Sequence, residues 1–178
     1  MNGSQINVEY NFLPNIDKFY NLCKEIPLYS YFEHPHINPE EERKHSIWPG
    51  MRSCSLNNEE KFLELFMTEL AINKFKINME KYHEIASFIH VRFDEDNKTD
   101  FVHQDWGSDS LILYLSPTNL NSGTSFYADD KKTLITDISF VQNTAIFFNG
   151  SIYHGSKNNF GTDIEDGRMT MNMFFHKK

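Results

Sequence analysis

The stretch Arg168-Met169-Thr170-Met171-Asn172-Met173-Phe174-Phe175, near the end of the 178-residue chain, decides the fold. Polar and apolar residues alternate along it, so Arg168, Thr170 and Asn172 fall on one face of a strand and the three methionines on the other. The methionine face is suited to packing, whereas the polar face would project into a cavity. This stretch therefore predicts a β-strand that separates an apolar layer from a polar one.

Further strand-like runs precede this stretch, and polar turns separate them. The runs cover residues 86–93, 101–104, 110–115, 124–127, 138–141 and 144–148. Short strands at this frequency predict a sandwich or a barrel. The second half of the chain is therefore expected to be almost entirely β.

The first half of the chain has a different pattern. It contains a short strand at 8–12, an amphipathic helix at 16–24, a proline-rich irregular segment at 33–52 and a second helix at 59–70. We expect these helices to brace one sheet from outside. The prediction is a mostly β fold with bracing helices (α+β), in a single domain over 1–178. Within this domain, we expect residues 1–80 to brace the β core and residues 85–176 to form it.

Charge and cysteine content limit the classes of partner. The net charge is −8, and no long run of Lys or Arg occurs, which disfavours nucleic acid and anionic membranes as partners. No apolar stretch is long enough to span a membrane, and no signal peptide is recognisable. Cys23 and Cys54 have no CxxC partner, so we expect reduced thiols and a cytoplasmic protein. A small-molecule or peptide substrate remains open, as does the oligomeric state.

A possible metal site begins at His103-Gln104-Asp105. On a strand, residues i and i+2 project to the same face, so His103 and Asp105 can share one ion. His154 would join them from another strand. Two imidazoles and one carboxylate are the facial triad of non-haem Fe(II) oxygenases, whereas closed zinc sites use four protein ligands. The three ligands favour a reactive metal over a structural one.

Arg168 and Thr170 can bind an anion beside that metal. A guanidinium holds a carboxylate through two parallel hydrogen bonds, and a hydroxyl two residues later can donate another. Tyr114 shares the inner face of its strand with Ile112, so its phenol could reach the same carboxylate. A core tyrosine with its hydroxyl bonded to the backbone is the alternative.

Together these motifs carry a family resemblance. The second half of the chain resembles the double-stranded β-helix (jelly-roll, cupin-like) core of Fe(II)/2-oxoglutarate-dependent dioxygenases, especially the prolyl-hydroxylase-like group. The matching stretches are 102–105, 113–116, 122–126, Tyr153-His154-Gly155 and Gly167-Arg168-Met169-Thr170.

The resemblance implies that His103, Asp105 and His154 bind Fe(II), with no other catalytic residue. It also implies that Arg168 holds the distal carboxylate of 2-oxoglutarate, helped by Tyr114 and Thr170. With O2 as second co-substrate, such an enzyme hydroxylates a C–H bond of an amino-acid, peptidyl or small-metabolite substrate and releases succinate and CO2. Related halogenases replace the carboxylate ligand by a small residue, so Asp105 favours hydroxylation.

The chain departs from the family pattern at two places. Phe93 occupies a position that is often Tyr in this group, so one hydrogen bond to the co-substrate is missing or comes from elsewhere. The spacing from His154 to Arg168 is long, and we expect the acidic loop 158–166 within it at the mouth of the site.

Candidate substrate contacts lie near these motifs. Trp106 and Asp109 follow the metal motif, and Trp48 and Arg52 could close over the cavity as a lid. Arg92 and His90 alternate on one strand face and either line the cavity or belong to ordinary packing. The histidines at 34, 36 and 45 lack a carboxylate at ligand spacing, so we expect them in an exposed loop.

Two other functional classes remain open from sequence. One is a cupin-like metalloenzyme that uses the same triad without 2-oxoglutarate. The other is a non-catalytic β-sandwich binding module, in which His103, Asp105 and His154 would not converge.

Overall fold

A computed structural model describes residues 6–37, 48–98 and 101–178. Its helices are α1 (Ile16–Lys24), α2 (Leu56–Glu59) and α3 (Lys61–Phe75). Its strands are β1 (Ile6–Glu9), β2 (Tyr29–Ser30), β3 (Met51–Arg52), β4 (Tyr82–Arg92), β5 (Ser108–Tyr114), β6 (Asn119–Tyr127), β7 (Leu134–Phe140), β8 (Ala145–Asn149), β9 (Tyr153–Lys157) and β10 (Arg168–Lys177). No helix in these ranges has the length and apolar character needed to cross a membrane.

The described strands form two antiparallel sheets that face each other. The larger has the order β1-β8-β5-β10-β4-β3-β2, and the smaller has the order β7-β6-β9. The predicted mostly β architecture with bracing helices is confirmed. The deciding strand, β10, lies at the centre of the larger sheet, where it pairs with β4 on one side and β5 on the other.

The outer face of the larger sheet carries the main apolar core. Met169, Met171 and Met173 are fully buried there, in one cluster with residues of α1 and α3. Burial of this face accounts for the position of both helices, because each presents apolar side chains such as Phe19 and Met67 to it. A second cluster, which includes Phe126 and Phe148, fills the space between the sheets.

Several predicted boundaries differ from the structure. The first strand ends at Glu9, because Asn11 adopts a left-handed backbone (φ 52°) and the chain turns before Phe12. The second helix is interrupted at Glu60, which separates α2 from α3. Strand β9 was not among the predicted runs, since Tyr153-His154-Gly155-Ser156-Lys157 has no apolar alternation to reveal it. The predicted strand at 101–104 is an extended segment with one isolated bridge.

Candidate metal centre

Backbone hydrogen bonds hold the two histidines of the site next to each other. His103 and His154 face each other across an antiparallel bridge, and each backbone N–H donates to the other's carbonyl at 2.9 Å. Asp105 follows two residues later, where its N–H donates to the Gly150 carbonyl at 2.8 Å. A Cβ at position 150 would collide with the Asp105 carbonyl oxygen, so only glycine permits this approach.

The three side chains converge on one point. One ligand atom from each lies within 4.8 Å of the other two. His103 Nε2 is 3.8 Å from Asp105 Oδ1, and His154 Nε2 is 3.4 Å from Asp105 Oδ2. If the protein were a non-catalytic binding module, these three side chains would not be expected to converge, so their convergence argues against that class.

The orientation of both rings suits a metal. Nδ1 of His103 lies 3.1 Å from the Phe101 carbonyl oxygen, and Nδ1 of His154 lies 2.9 Å from that of Ile152. A carbonyl can only accept, so Nδ1 of each ring carries a proton and each Nε2 faces the Asp105 carboxylate. Two imidazole nitrogens and a carboxylate oxygen on one side of an ion fit Fe(II) and leave coordination positions for other ligands.

The protonation states suit metal binding as well. Burial, followed by the neighbouring His154, lowers the pKa of His103, which keeps its ring neutral. Burial alone would raise the pKa of Asp105. Interactions with His154 and His103, together with a 2.7 Å hydrogen bond donated by Ser110 Oγ, lower it instead. Sequence reasoning missed Ser110, although its position on the inner face of β5 could have indicated it.

A cavity of about 270 Å³ opens from the metal centre between the two sheets. Its lining combines residues from the inner faces of both sheets with the segment around β3. The lining residues are Trp48, Pro49, Arg52, His90, Arg92, Phe101, His103, Gln104, Asp105, Ser110, Leu111, Ile112, Thr124, His154, Gly155, Ser156, Arg168, Thr170, Asn172 and Phe174.

Arg168 lies deep in this cavity with only 4% of its surface exposed. Its Nη2 donates to the Gly123 carbonyl at 3.0 Å and lies 3.5 Å from Thr124 Oγ1, which holds the guanidinium in place. Thr170 lines the cavity beside it. Thr124 lines the same part of the cavity as the Arg168 guanidinium. Thr124 is a contact that sequence reasoning did not identify.

Tyr114 does not line the cavity. It is fully buried, and its hydroxyl lies 2.8 Å from Thr124 Oγ1 and 3.1 Å from the Ile138 carbonyl. Burial raises the pKa of Tyr114 to about 12. The expected contact of Tyr114 with a co-substrate carboxylate stays a prediction, and in the structure Tyr114 lies beside Arg168, whose guanidinium carbon is 5.7 Å from the ring centre. Tyr114 supports Thr124 from behind.

The candidate substrate residues fall into two groups. Trp48, Arg52 and Arg92 line the cavity. Trp106 is 77% exposed and does not. Asp109 also lies outside the lining, because it alternates with Ser110 onto the outer face, where it contacts the Tyr82 hydroxyl and Lys177 Nζ, each at 2.6 Å.

The two departures from the family pattern have structural explanations. Phe93 packs against the outer apolar cluster and is not a lining residue, so a hydroxyl there would not face the cavity. We expected the loop 158–166 at the mouth of the site, but none of its residues lines the cavity. Glu165 of this loop pairs with Lys24 of α1 at 2.7 Å, which holds the loop against the outer helix layer.

The histidines of the first half also differ from expectation. His34 is buried, with Nε2 at 3.3 Å from the Ser53 carbonyl, because the preceding turn folds it against Trp48. His36 is exposed as predicted, but its ring lies near Cys54 and Glu59, so that one ligand atom from each is within 4.8 Å of the others. Sequence spacing could not reveal this second group, which lies outside the cavity lining. His45 lies outside the described residues.

Comparison with solved structures identifies the fold. A prolyl-4-hydroxylase from Pseudomonas putida matches 99% of this chain and 94% of its own, with a TM-score of 0.58 and 14% identity. The non-haem α-ketoglutarate-dependent carbocyclase SnoK of nogalamycin biosynthesis matches 98% of this chain and 80% of its own, with a TM-score of 0.64 and 12% identity.

HygX from Streptomyces hygroscopicus, solved with nickel and 2-oxoglutarate, matches 97% of this chain and 83% of its own, with a TM-score of 0.62 and 10% identity. No protein-family model and no curated protein sequence matches the chain. The chain has the fold of the 2-oxoglutarate- and Fe(II)-dependent oxygenases. The resemblance inferred from the sequence motifs is thereby confirmed at the level of fold.

Proposed function

We propose that the protein is an Fe(II)- and 2-oxoglutarate-dependent oxygenase. It hydroxylates a C–H bond of an amino-acid, peptidyl or small-metabolite substrate. One substrate molecule, O2 and 2-oxoglutarate give the hydroxylated product, succinate and CO2. The observation that carries this proposal is the convergence of His103, Asp105 and His154 at one end of a cavity that also contains the buried guanidinium of Arg168.

Each residue has a defined part in this proposal. Bound Fe(II) supplies the site at which O2 is activated. His103 and His154 hold the metal through Nε2, and Asp105 supplies an anionic ligand that Ser110 orients. Arg168 binds the distal carboxylate of 2-oxoglutarate, and its hydrogen bond to Gly123 fixes the direction in which the guanidinium faces.

The proposal is tested by adding Fe(II) and 2-oxoglutarate without oxygen. We expect the visible metal-to-ligand charge-transfer band that forms when 2-oxoglutarate chelates ferrous iron. His103→Ala should abolish it, because two ligands no longer define the site. His83→Ala is the matched control, since His83 is exposed and remote from the lining. Absence of the band in the unmodified protein, with no succinate formed in air, would contradict the proposal.

A further inference from the structure

Two buried nitrogen donors in the lining of the cavity have no acceptor within the described ranges. They are Arg52 Nε and Trp48 Nε1. The Arg52 guanidinium lies over the Trp48 ring at 4.3 Å and near the Phe88 ring at 5.2 Å, so the two donors are neighbours. Buried donors without an acceptor are rare in folded proteins, and two adjacent ones indicate an acceptor supplied from outside.

The charges of the cavity indicate the same kind of ligand. Among the described residues, its lining includes the guanidinium groups of Arg52, Arg92 and Arg168 and the carboxylate of Asp105, and Arg92 donates to Ser156 Oγ at 2.7 Å. Within the described residues no carboxylate pairs with Arg52. Arg52 is half-buried, and its buried Nε is costly to leave without an acceptor.

Loading of the site would not compensate Arg52. In the proposed complex, Asp105 and the near carboxylate of 2-oxoglutarate balance the two charges of Fe(II). The distal carboxylate then balances Arg168. Arg52 remains positive, and the guanidinium of Arg92 adds to the positive potential around it. Among the described residues, no carboxylate hydrogen-bonds to Arg52, so a bound anion would find a donor at this guanidinium.

We propose that Arg52 and Trp48 form the subsite for a carboxylate of the primary substrate, which is a small free carboxylic acid. This inference rests on the proposed oxygenase function. A guanidinium presents a planar fork that matches a carboxylate, and the indole N–H supplies a further donor. The cavity of about 270 Å³ lies at the small end of ligand pockets and is shared with 2-oxoglutarate, so the substrate is small.

The strand order separates the backbone of Arg52 from that of Ser110, which hydrogen-bonds to the metal ligand Asp105. Arg52 lies on β3, opposite His90 of β4, and β10 separates β4 from β5, which carries Ser110. Three strand spacings give about 14 Å between the backbones of β3 and β5. The Arg52 side chain extends from β3 toward Asp105, with which it interacts electrostatically, so a carboxylate at Arg52 would hold the rest of a small substrate beside the metal ligands.

The test follows Trp48 fluorescence in a Trp106→Phe protein, because the chain has two tryptophans and Trp106 is exposed outside the cavity. Mn²⁺ replaces iron to prevent turnover, and 2-oxoglutarate saturates Arg168. We expect a saturable change on titration with benzoate and none with benzamide, its neutral isostere. Arg52→Gln should weaken benzoate binding at least about tenfold, because a charge-assisted pair is lost. Arg52→Lys keeps the positive charge but loses the planar guanidinium, so it should retain part of the affinity for benzoate.

Several results would overturn the assignment. An equal response to benzamide, no response to benzoate, or an unchanged response in Arg52→Gln would each exclude a carboxylate subsite. The anaerobic Fe(II) and 2-oxoglutarate band is measured on Arg52→Gln in parallel. A retained band shows that Arg52→Gln is folded and that Arg52 serves the substrate, whereas a band lost only in this variant assigns Arg52 to 2-oxoglutarate.

If the charge-transfer band is absent from the unmodified protein as well, the proposed function fails. The benzoate titration does not depend on that band, so it still tests the role of Arg52. In air, succinate release should increase with free carboxylic acids. A preference for terminally blocked peptides that carry Asp or Glu would overturn the assignment to a free acid.

Discussion

The two faces of the larger sheet differ in chemistry although the same strands form both. On the outer face, Met169, Met171 and Met173 of β10 pack without exposure beneath the helices. On the inner face, Arg168 and Thr170 of the same strand line a polar cavity. Because side chains alternate between the faces, one strand provides stability and chemistry through different residues. Substitutions should therefore separate the two effects.

The largest expected effect is on the outer face. Met171→Ala should lower the free energy of unfolding by about 3 kcal/mol, because it leaves a cavity in a fully buried cluster. Urea denaturation measures this, and the affinity for 2-oxoglutarate below the transition should be unchanged. Met171→Leu, which nearly conserves volume, should cost less than about 1.5 kcal/mol. An affinity loss in Met171→Ala without loss of stability would contradict the separation of the faces.

On the inner face, Arg168→Lys should raise the dissociation constant of 2-oxoglutarate about tenfold, since an ammonium keeps the charge but loses the bidentate fork. Anaerobic titration of the charge-transfer band measures this. Fe(II) binding should be unchanged, because Arg168 is not one of the three converging ligands. Loss of iron together with 2-oxoglutarate would show that Arg168 is needed to hold the metal site in shape.

His90 should make the inner face sensitive to acid. Burial, followed by the charges of Arg92, Arg52 and Arg168, lowers the pKa of His90 well below its usual value, and Nε2–H donates to the Pro49 carbonyl at 2.8 Å. The unfolded chain therefore binds a proton that the folded protein does not. As the pH falls below about 6.5, the pKa of histidine in the unfolded chain, His90 should lower the free energy of unfolding by about 1.4 kcal/mol per pH unit. Above that pH the ring is neutral in both states, so His90 no longer makes stability depend on pH.

His90→Gln checks this expectation, because its amide can still donate to Pro49 but does not titrate. Urea denaturation between about pH 5 and pH 7 should give a slope of stability against pH that is smaller by that amount. An equal slope in both proteins would assign the acid sensitivity to other histidines.

The smallest expected effect is a gain in stability. Arg52→Met should raise the free energy of unfolding by about 1 kcal/mol, because it removes a half-buried guanidinium whose buried Nε has no acceptor among the described residues and keeps an apolar stem against Trp48. Thermal or urea denaturation measures it. A loss of stability would mean that stacking on Trp48 and Phe88 outweighs burial of the charge.

Local patterns predicted the parts of the site that depend on alternation. The two faces of β10 follow from period-two spacing, whereas the joint role of His103, Asp105 and His154 was implied by the family resemblance. Alternation also shows why Asp109 was misplaced. It precedes Ser110 directly, so the two cannot share a face.

Contacts between distant segments could not be read in this way. Thr124 Oγ1 accepts a hydrogen bond from the Tyr114 hydroxyl because β6 lies opposite β5. Sequence spacing contains no information on how close these two strands lie. Burial of His34 depends on packing against Trp48, and docking of the loop at Glu165 depends on Lys24 of a remote helix. These contacts depend on tertiary packing.

The reciprocal hydrogen bonds between the backbones of His103 and His154 have a consequence for the supply of metal. Main-chain pairing, not the ion, fixes the separation of the two rings, so loading requires little rearrangement of the chain. If the proposed function holds, iron could be lost and regained without refolding. Because a preformed nitrogen and oxygen site binds copper, nickel and zinc more tightly than Fe(II), the ion present at any time is decided by which metals the surroundings make available.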